Sequence, residues 1–184
     1  KKNIRPQSTG NLGERLFLAS VGAGIAASLL MMYFLLTNQF QYEYVSKYSS
    51  LDQPLIYLIS ALWAGQEGTF LFWAMLVGLM GLVFIRSKQH DDKIAMGVVN
   101  VFAAFLYLLM LVKSPFQINE QVPKDGAGMN PLLMNPWMAI HPPILFIGYA
   151  ATIFPFGLVL SALARRSYES WNDRGFAWTL FATV

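Results

Sequence analysis

Residues 130–164 read NPLLMNPWMAIHPPILFIGYAATIFPFGLVLSALA. A polar, proline-punctuated lead gives way after His141 to a run from Pro143 to Ala164 that holds no charged side chain. A helix of about 20 apolar residues covers the ~30 Å hydrocarbon core of a bilayer. In lipid, backbone hydrogen bonds must be met internally, which a helix does within one segment. Two Asn-Pro steps, Asn130-Pro131 and Asn135-Pro136, brace the approach, because proline pushes the residue before it out of helical geometry. Proline is tolerated in a first helical turn, where its missing N–H has no intrahelical partner. Pro142 and Pro143 are therefore expected to open the span, with His141 at its head, and Pro155 to kink it. Trp137, four residues before the histidine, suits a membrane–water boundary.

The rest of the chain repeats the pattern. Spans are expected at 16–36, 69–85, 94–112 and 143–164, with the start of another at 176. Small residues in the first, such as Gly22, Gly24 and Ala27, invite close helix approach. The lead before it is no signal peptide, since the apolar run is too long and lacks a small-residue cleavage pattern. Residues 37–68 and 113–141 form two long polar segments, and the short apolar run from Leu55 to Ala64 inside the first reads as interfacial or re-entrant. The expected fold is all-α, a polytopic integral membrane helical bundle. It has a single transmembrane domain of about four full spans and the start of a fifth, a segment of a longer polypeptide.

Composition agrees. Hydrophobic residues make up 55% and charged residues 12% of the 184, the balance of a polytopic membrane protein. The absence of cysteine excludes disulfides, thiolate metal sites and cysteine nucleophiles within these residues. Lys1, Lys2, Arg5, Arg15, Arg86, Lys88, Lys93, Arg165, Arg166 and Arg174 fall on one side of the expected bilayer, and only Lys47, Lys113 and Lys124 on the other. Cytoplasmic loops carry the excess of Lys and Arg, so the two long segments are expected to face outward.

Two features there stand above background. His141 either caps or anchors its helix in the headgroup layer or, as a neutral imidazole, binds metal. Glu67, in the turn Trp63-Ala64-Gly65-Gln66-Glu67-Gly68-Thr69, either supports the start of the next helix at its positive end or serves chemistry. His90, the second histidine, sits among solvated charges and reads as a surface residue. Mid-span charges, which would point to a transporter, are lacking. A transporter and a purely structural subunit of a respiratory complex remain the alternatives.

The stretches SALWAGQEGTFLFW (60–73) and GMNPLLMNPWMAIHPPILFIGY (128–149) resemble the cytochrome c biogenesis haem lyases of the CcmF/NrfE family, over nearly the whole chain. The resemblance implies a multi-pass protein of the bacterial inner membrane whose working face is periplasmic, with a tryptophan-rich haem-binding segment expected beyond Val184. It implies that His141 is one of two outward axial ligands of haem b, supported by Trp137, Pro142 and Pro143. Trp63, Gly65, Glu67 and Gly68 belong to one structural motif of the family, and Asn130, Pro131, Asn135 and Pro136 to another. Relatives often carry histidine where this chain has Gln66, which cannot supply a ligand, so the Trp63 turn is expected to brace rather than react. The expected partners are a CcmE-type haem chaperone, a CcmH-type thiol partner, apocytochrome c and the lipid bilayer, with no nucleic acid. A second, buried haem held by two histidines would need residues outside this segment. The implied activity is haem attachment within a lyase complex, with no acid–base residue identified here.

Overall fold

The computed structural model describes residues 12–87, 93–168 and 172–183. His90, Lys88 and the residues before Leu12 lie outside the described residues. Among the described residues four helices are long and apolar enough to cross a membrane: α1 (Leu12–Leu36), α4 (Gln66–Ser87), α5 (Lys93–Val112) and α6 (Pro136–Arg165). Two short helices, α2 (Glu43–Tyr48) and α3 (Leu55–Ser60), lie between α1 and α4, and α7 (Asn172–Thr183) follows α6. The protein is a polytopic helical membrane protein.

α4 is the hub. It packs against α1, α5 and α6, and α7 lies along α6. Close approach is set by small residues, as van der Waals packing between membrane helices requires. A Cβ added at Gly81 of α4 would fall on the Phe17 ring of α1, and one at Gly157 of α6 would come within 3.2 Å of the Ala95 backbone of α5. Gly24 of α1 makes room for Tyr107 of α5, whose hydroxyl donates to the Ser20 carbonyl at 2.6 Å. At the far end Trp178 of α7 stacks on Phe154 with ring centres 4.3 Å apart.

Alternation of the helices puts Arg86, Lys93 and Arg165 at one end of the bundle, and the two long segments at the other, the cap end. The segments are one structure rather than two loops. Tyr42 and Ile118 form an antiparallel bridge, flanked by Glu43 N–H to the Gln117 carbonyl and Asn119 N–H to the Gln41 carbonyl, each 2.8 Å. The Asn119 amide nitrogen adds 2.8 Å bonds to the Phe40 carbonyl and Ser46 Oγ. Ala127 N–H and Gly128 N–H donate to the Ser46 and Ser49 carbonyls, and Asp125 accepts from Leu51 N–H at 2.9 Å. Buried Gln53 accepts from Met129 N–H at 3.1 Å. At Gly128, φ is +74°, a left-handed conformation that favours glycine.

α4 and α6 start earlier at the cap end than their hydropathy runs alone, and one expectation is corrected. α6 starts at Pro136, not at Pro142 or Pro143, because Asn135 is extended and its side chain accepts from Trp137 N–H at 3.0 Å. An N-cap asparagine followed by proline at the first position nucleates a helix there. Pro142 and Pro143 therefore lie inside α6, and His141 is in its second turn rather than at its head. Those prolines and Pro155 remove the donors for the Met138, Ala139 and Ala151 carbonyls, yet α6 is assigned as one helix throughout. In the same way α4 opens at Gln66, so Glu67 belongs to its first turn.

Gly126 tests the cap directly, because a Cβ there would fall on the Ser49 carbonyl. Gly126→Ala is expected to destabilise the detergent-solubilised protein by ~1–3 kcal/mol, read as a lower thermal midpoint, whereas Gly22→Ala, with nothing within 4 Å of the added atom, leaves it unchanged.

Candidate functional site

The Trp63 turn and the His141 turn stand at the same end of the bundle, and the residues around them divide into a buried brace and an exposed strip. The brace centres on Tyr44 of α2, which is buried. Its hydroxyl accepts from Gly65 N–H at 3.1 Å and donates to the Ala61 carbonyl at 2.8 Å, with the Leu62 carbonyl at 3.2 Å. Burial pushes the Tyr44 phenol far above its ordinary range, against the Gly65 N–H, which favours the charged form. Both glycines of the turn are dictated by the tyrosines of α2. A Cβ at Gly65 would land on the Tyr48 ring, and one at Gly68 on the Tyr44 hydroxyl and the Leu62 carbonyl.

Trp63 packs against Phe72 with ring centres 5.2 Å apart. The chain of rings continues from Phe72 to Phe146 of α6, and from Phe146 to Trp73 and Tyr149. Among the described residues no hydrogen bond reaches the buried indole nitrogens of Trp63 and Trp73. Glu67, half-buried beside the positive end of α4, lines a cleft of about 40 Å³ with Glu43, Lys47, Tyr48, Ser114 and Gln117. Gln66 is exposed. These contacts make the turn a structural joint between α2 and α4.

The exposed strip is on α6. Ala139, Ala150, Phe154 and Gly157 face the bundle, and at 3.6 residues per turn His141 lies on the opposite side with Trp137, Ile144, Leu145 and Gly148. His141 is exposed, and Trp137 is 77% exposed. Lower on that strip α7 approaches: a Cβ at Gly148 would sit 3.0 Å from the Ala182 carbonyl. Near His141 in sequence, Phe146 and Met134 pack on the core, while Trp137 and Met138 are exposed. Both Asn-Pro steps do what their chemistry requires. Asn130 accepts from Leu132 N–H at 3.0 Å ahead of a 3-10 turn (Pro131–Leu133), and Asn135 caps α6.

Among the described residues no hydrogen bond occupies the His141 ring nitrogens, and no group of three or more His, Cys, Asp or Glu side chains gathers to hold a metal. His141 is thus a lone, exposed imidazole that the described residues do not build into a multidentate metal site. The brace around Tyr44 was not foreseen from sequence. Its only signal was the density of tyrosines in 42–57 beside a turn with two glycines.

The family model described as cytochrome C assembly protein matches residues 63–181, from the Trp63 turn through α7. The chain belongs to this family. It is 31% identical over 163 residues to the cytochrome c-type biogenesis protein CcmF of Pseudomonas fluorescens, covering 83% of this chain and 24% of that one. It is 29% identical over 175 residues to the cytochrome c-type biogenesis protein ccl1 of Rhodobacter capsulatus, covering 91% of this chain and 26% of that one. The fold matches a solved structure titled Cytochrome c Heme Lyase CcmF at a TM-score of 0.73 and 25% identity, over 91% of this chain and 27% of that one. The chain thus spans about a quarter of the length of the relatives it matches.

The Tyr44 brace carries a pH signature. A phenol whose folded value is raised contributes stability that is fully present below its unfolded value and lost as pH rises beyond it. Stability is therefore expected to fall above about pH 10, where unfolded tyrosine ionises. Tyr44→Phe, which leaves Gly65 N–H without its acceptor, should cost ~1–3 kcal/mol at neutral pH and flatten this alkaline loss in denaturant titrations.

Proposed function

We propose that this chain is part of a haem lyase of cytochrome c maturation, and that His141 holds the haem being transferred by an axial bond to its iron at the outward, periplasmic end of the bundle. The observation that carries the reading is the exposed imidazole on the apolar α6 strip, its nitrogens free of hydrogen bonds among the described residues, in a chain whose family and fold match are those of cytochrome c assembly. Haem supplies the iron and vinyl groups. The chain supplies position.

The residues divide that task. Asn135 and Pro136 fix where α6 begins and hence the height of His141, and Trp137 one turn earlier provides an aromatic body at the bilayer boundary. Pro142 and Pro143 withhold their N–H groups and so stop the turn around His141 from closing into a regular helical ladder. The Trp63 motif takes no part in the chemistry in this reading; it keeps α4 and α2 in register beneath the site. Haem reaches His141 from a CcmE-type chaperone, and a CcmH-type partner presents the apocytochrome thiols. Both act from the periplasmic side of a bacterial inner membrane, which also suits the excess of Lys and Arg at the opposite end.

The test is absorbance of the purified full-length protein together with assay of cytochrome c maturation. His141→Ala is expected to weaken the Soret band and abolish maturation while the protein stays at its normal level in the membrane. A Soret band and maturation unchanged by the substitution would refute the ligand assignment, and absence of any Soret band in the unsubstituted protein, with or without loaded chaperone, would favour a transporter or a structural subunit.

A further inference from the structure

α3 is built the wrong way round for a helix in water. Its protein-facing side buries Leu58 and Ser60, the latter donating its hydroxyl to the Tyr57 carbonyl at 3.2 Å, while the outward side is aliphatic throughout: Leu55 63%, Ile56 49% and Ile59 39% exposed. Surface helices of soluble proteins show the reverse arrangement, apolar stripe inward and polar side outward. No Asp, Glu, Lys or Arg occurs between Pro54 and Gln66. The helix is six residues long and is followed by a 3-10 turn (Ala61–Trp63) leading to the first turn of α4, so it neither crosses nor enters the bilayer deeply.

Its level is fixed by its neighbours. α3 touches α1, α6 and the turn that opens α4, which holds it at the height where the spans emerge at the cap end. On α1, which α3 touches, Tyr33 and Leu36 near that emergence are also exposed. We propose that α3 lies in the membrane interface, its Leu55, Ile56 and Ile59 side chains dipped into the acyl chains of the adjacent leaflet, and that it anchors the cap to the bilayer surface. Lipid is the occupant that matches a charge-free aliphatic surface at this height. Anchoring has a structural consequence: the cap joins α3 to the Tyr44 brace through the Ala61 and Leu62 carbonyls, so the membrane surface becomes a reference plane for the cap.

The inference stands independently of His141. Its test uses full-length protein in phosphatidylcholine–phosphatidylglycerol liposomes, with single cysteines introduced as Leu55→Cys, Ile56→Cys and Ile59→Cys, spin-labelled, and probed by oxygen, which concentrates in lipid, and by a water-soluble nickel chelate. These residues are exposed, so the labels displace no core packing. Val101→Cys on the exposed face of α5 and Glu120→Cys in the cap serve as lipid and water references. Oxygen accessibility severalfold above nickel accessibility at all three α3 sites, as at 101, is expected. Nickel dominating, as at 120, would show an aqueous face, and exclusion of both reagents would show that protein covers α3; either result overturns the proposal.

Discussion

The hydroxyl of Tyr44 is where the cap end of this protein is joined. One oxygen accepts from the N–H of Gly65 and donates to the Ala61 carbonyl, so a helix of the first polar segment is tied to the turn from which α4 starts. Because α4 is the helix against which α1, α5 and α6 all pack, the height and direction of its first turn set those of the neighbours. The second polar segment is bound to the same region by the Tyr42–Ile118 bridge and by Asn119. Buried polar contacts of this kind specify an arrangement when every member is satisfied and are costly when one is not. The two polar segments therefore form one hydrogen-bonded cap.

How much of this could be read in the sequence follows from the range of the forces involved. Hydrophobic runs reported the spanning helices, because the bilayer imposes length and composition residue by residue. Asn130-Pro131 and Asn135-Pro136 announced their turns, because the restriction before proline is local. The same local logic, applied to Pro142 and Pro143, misplaced the head of α6: Asn135 and Pro136 provide a complete helix start six residues earlier, and a helix once nucleated runs on through prolines when lipid offers its backbone no other partners. The contacts between residues 40–53 and 117–129 were illegible. They are backbone bonds and bonds of scattered polar side chains, Asn119, Asp125 and Gln53, between segments distant in sequence, and neither kind leaves a local pattern beyond the glycines at 126 and 128.

The place of His141 near the cap end of a spanning helix was legible, and the packing around it less so. His141 stands out because a lone imidazole at the edge of an apolar run is chemically conspicuous. Which aromatic side chains accompany it depends on helical phase, and the six-residue shift in the start of α6 left Trp137 and Met138 exposed while Phe146 faces α4. The aromatic rings of Trp63, Phe72, Trp73 and Phe146 hold helices together, and the opposite side of α6 leaves Trp137, His141, Ile144 and Leu145 exposed.

The most direct test of the account is cryo-electron microscopy of the full-length protein loaded with haem. The account expects macrocycle density lying against the strip formed by Trp137, His141 and Leu145, with the iron bonded to an imidazole nitrogen of His141. Haem density elsewhere, with the His141 ring facing lipid or covered by protein, would contradict it.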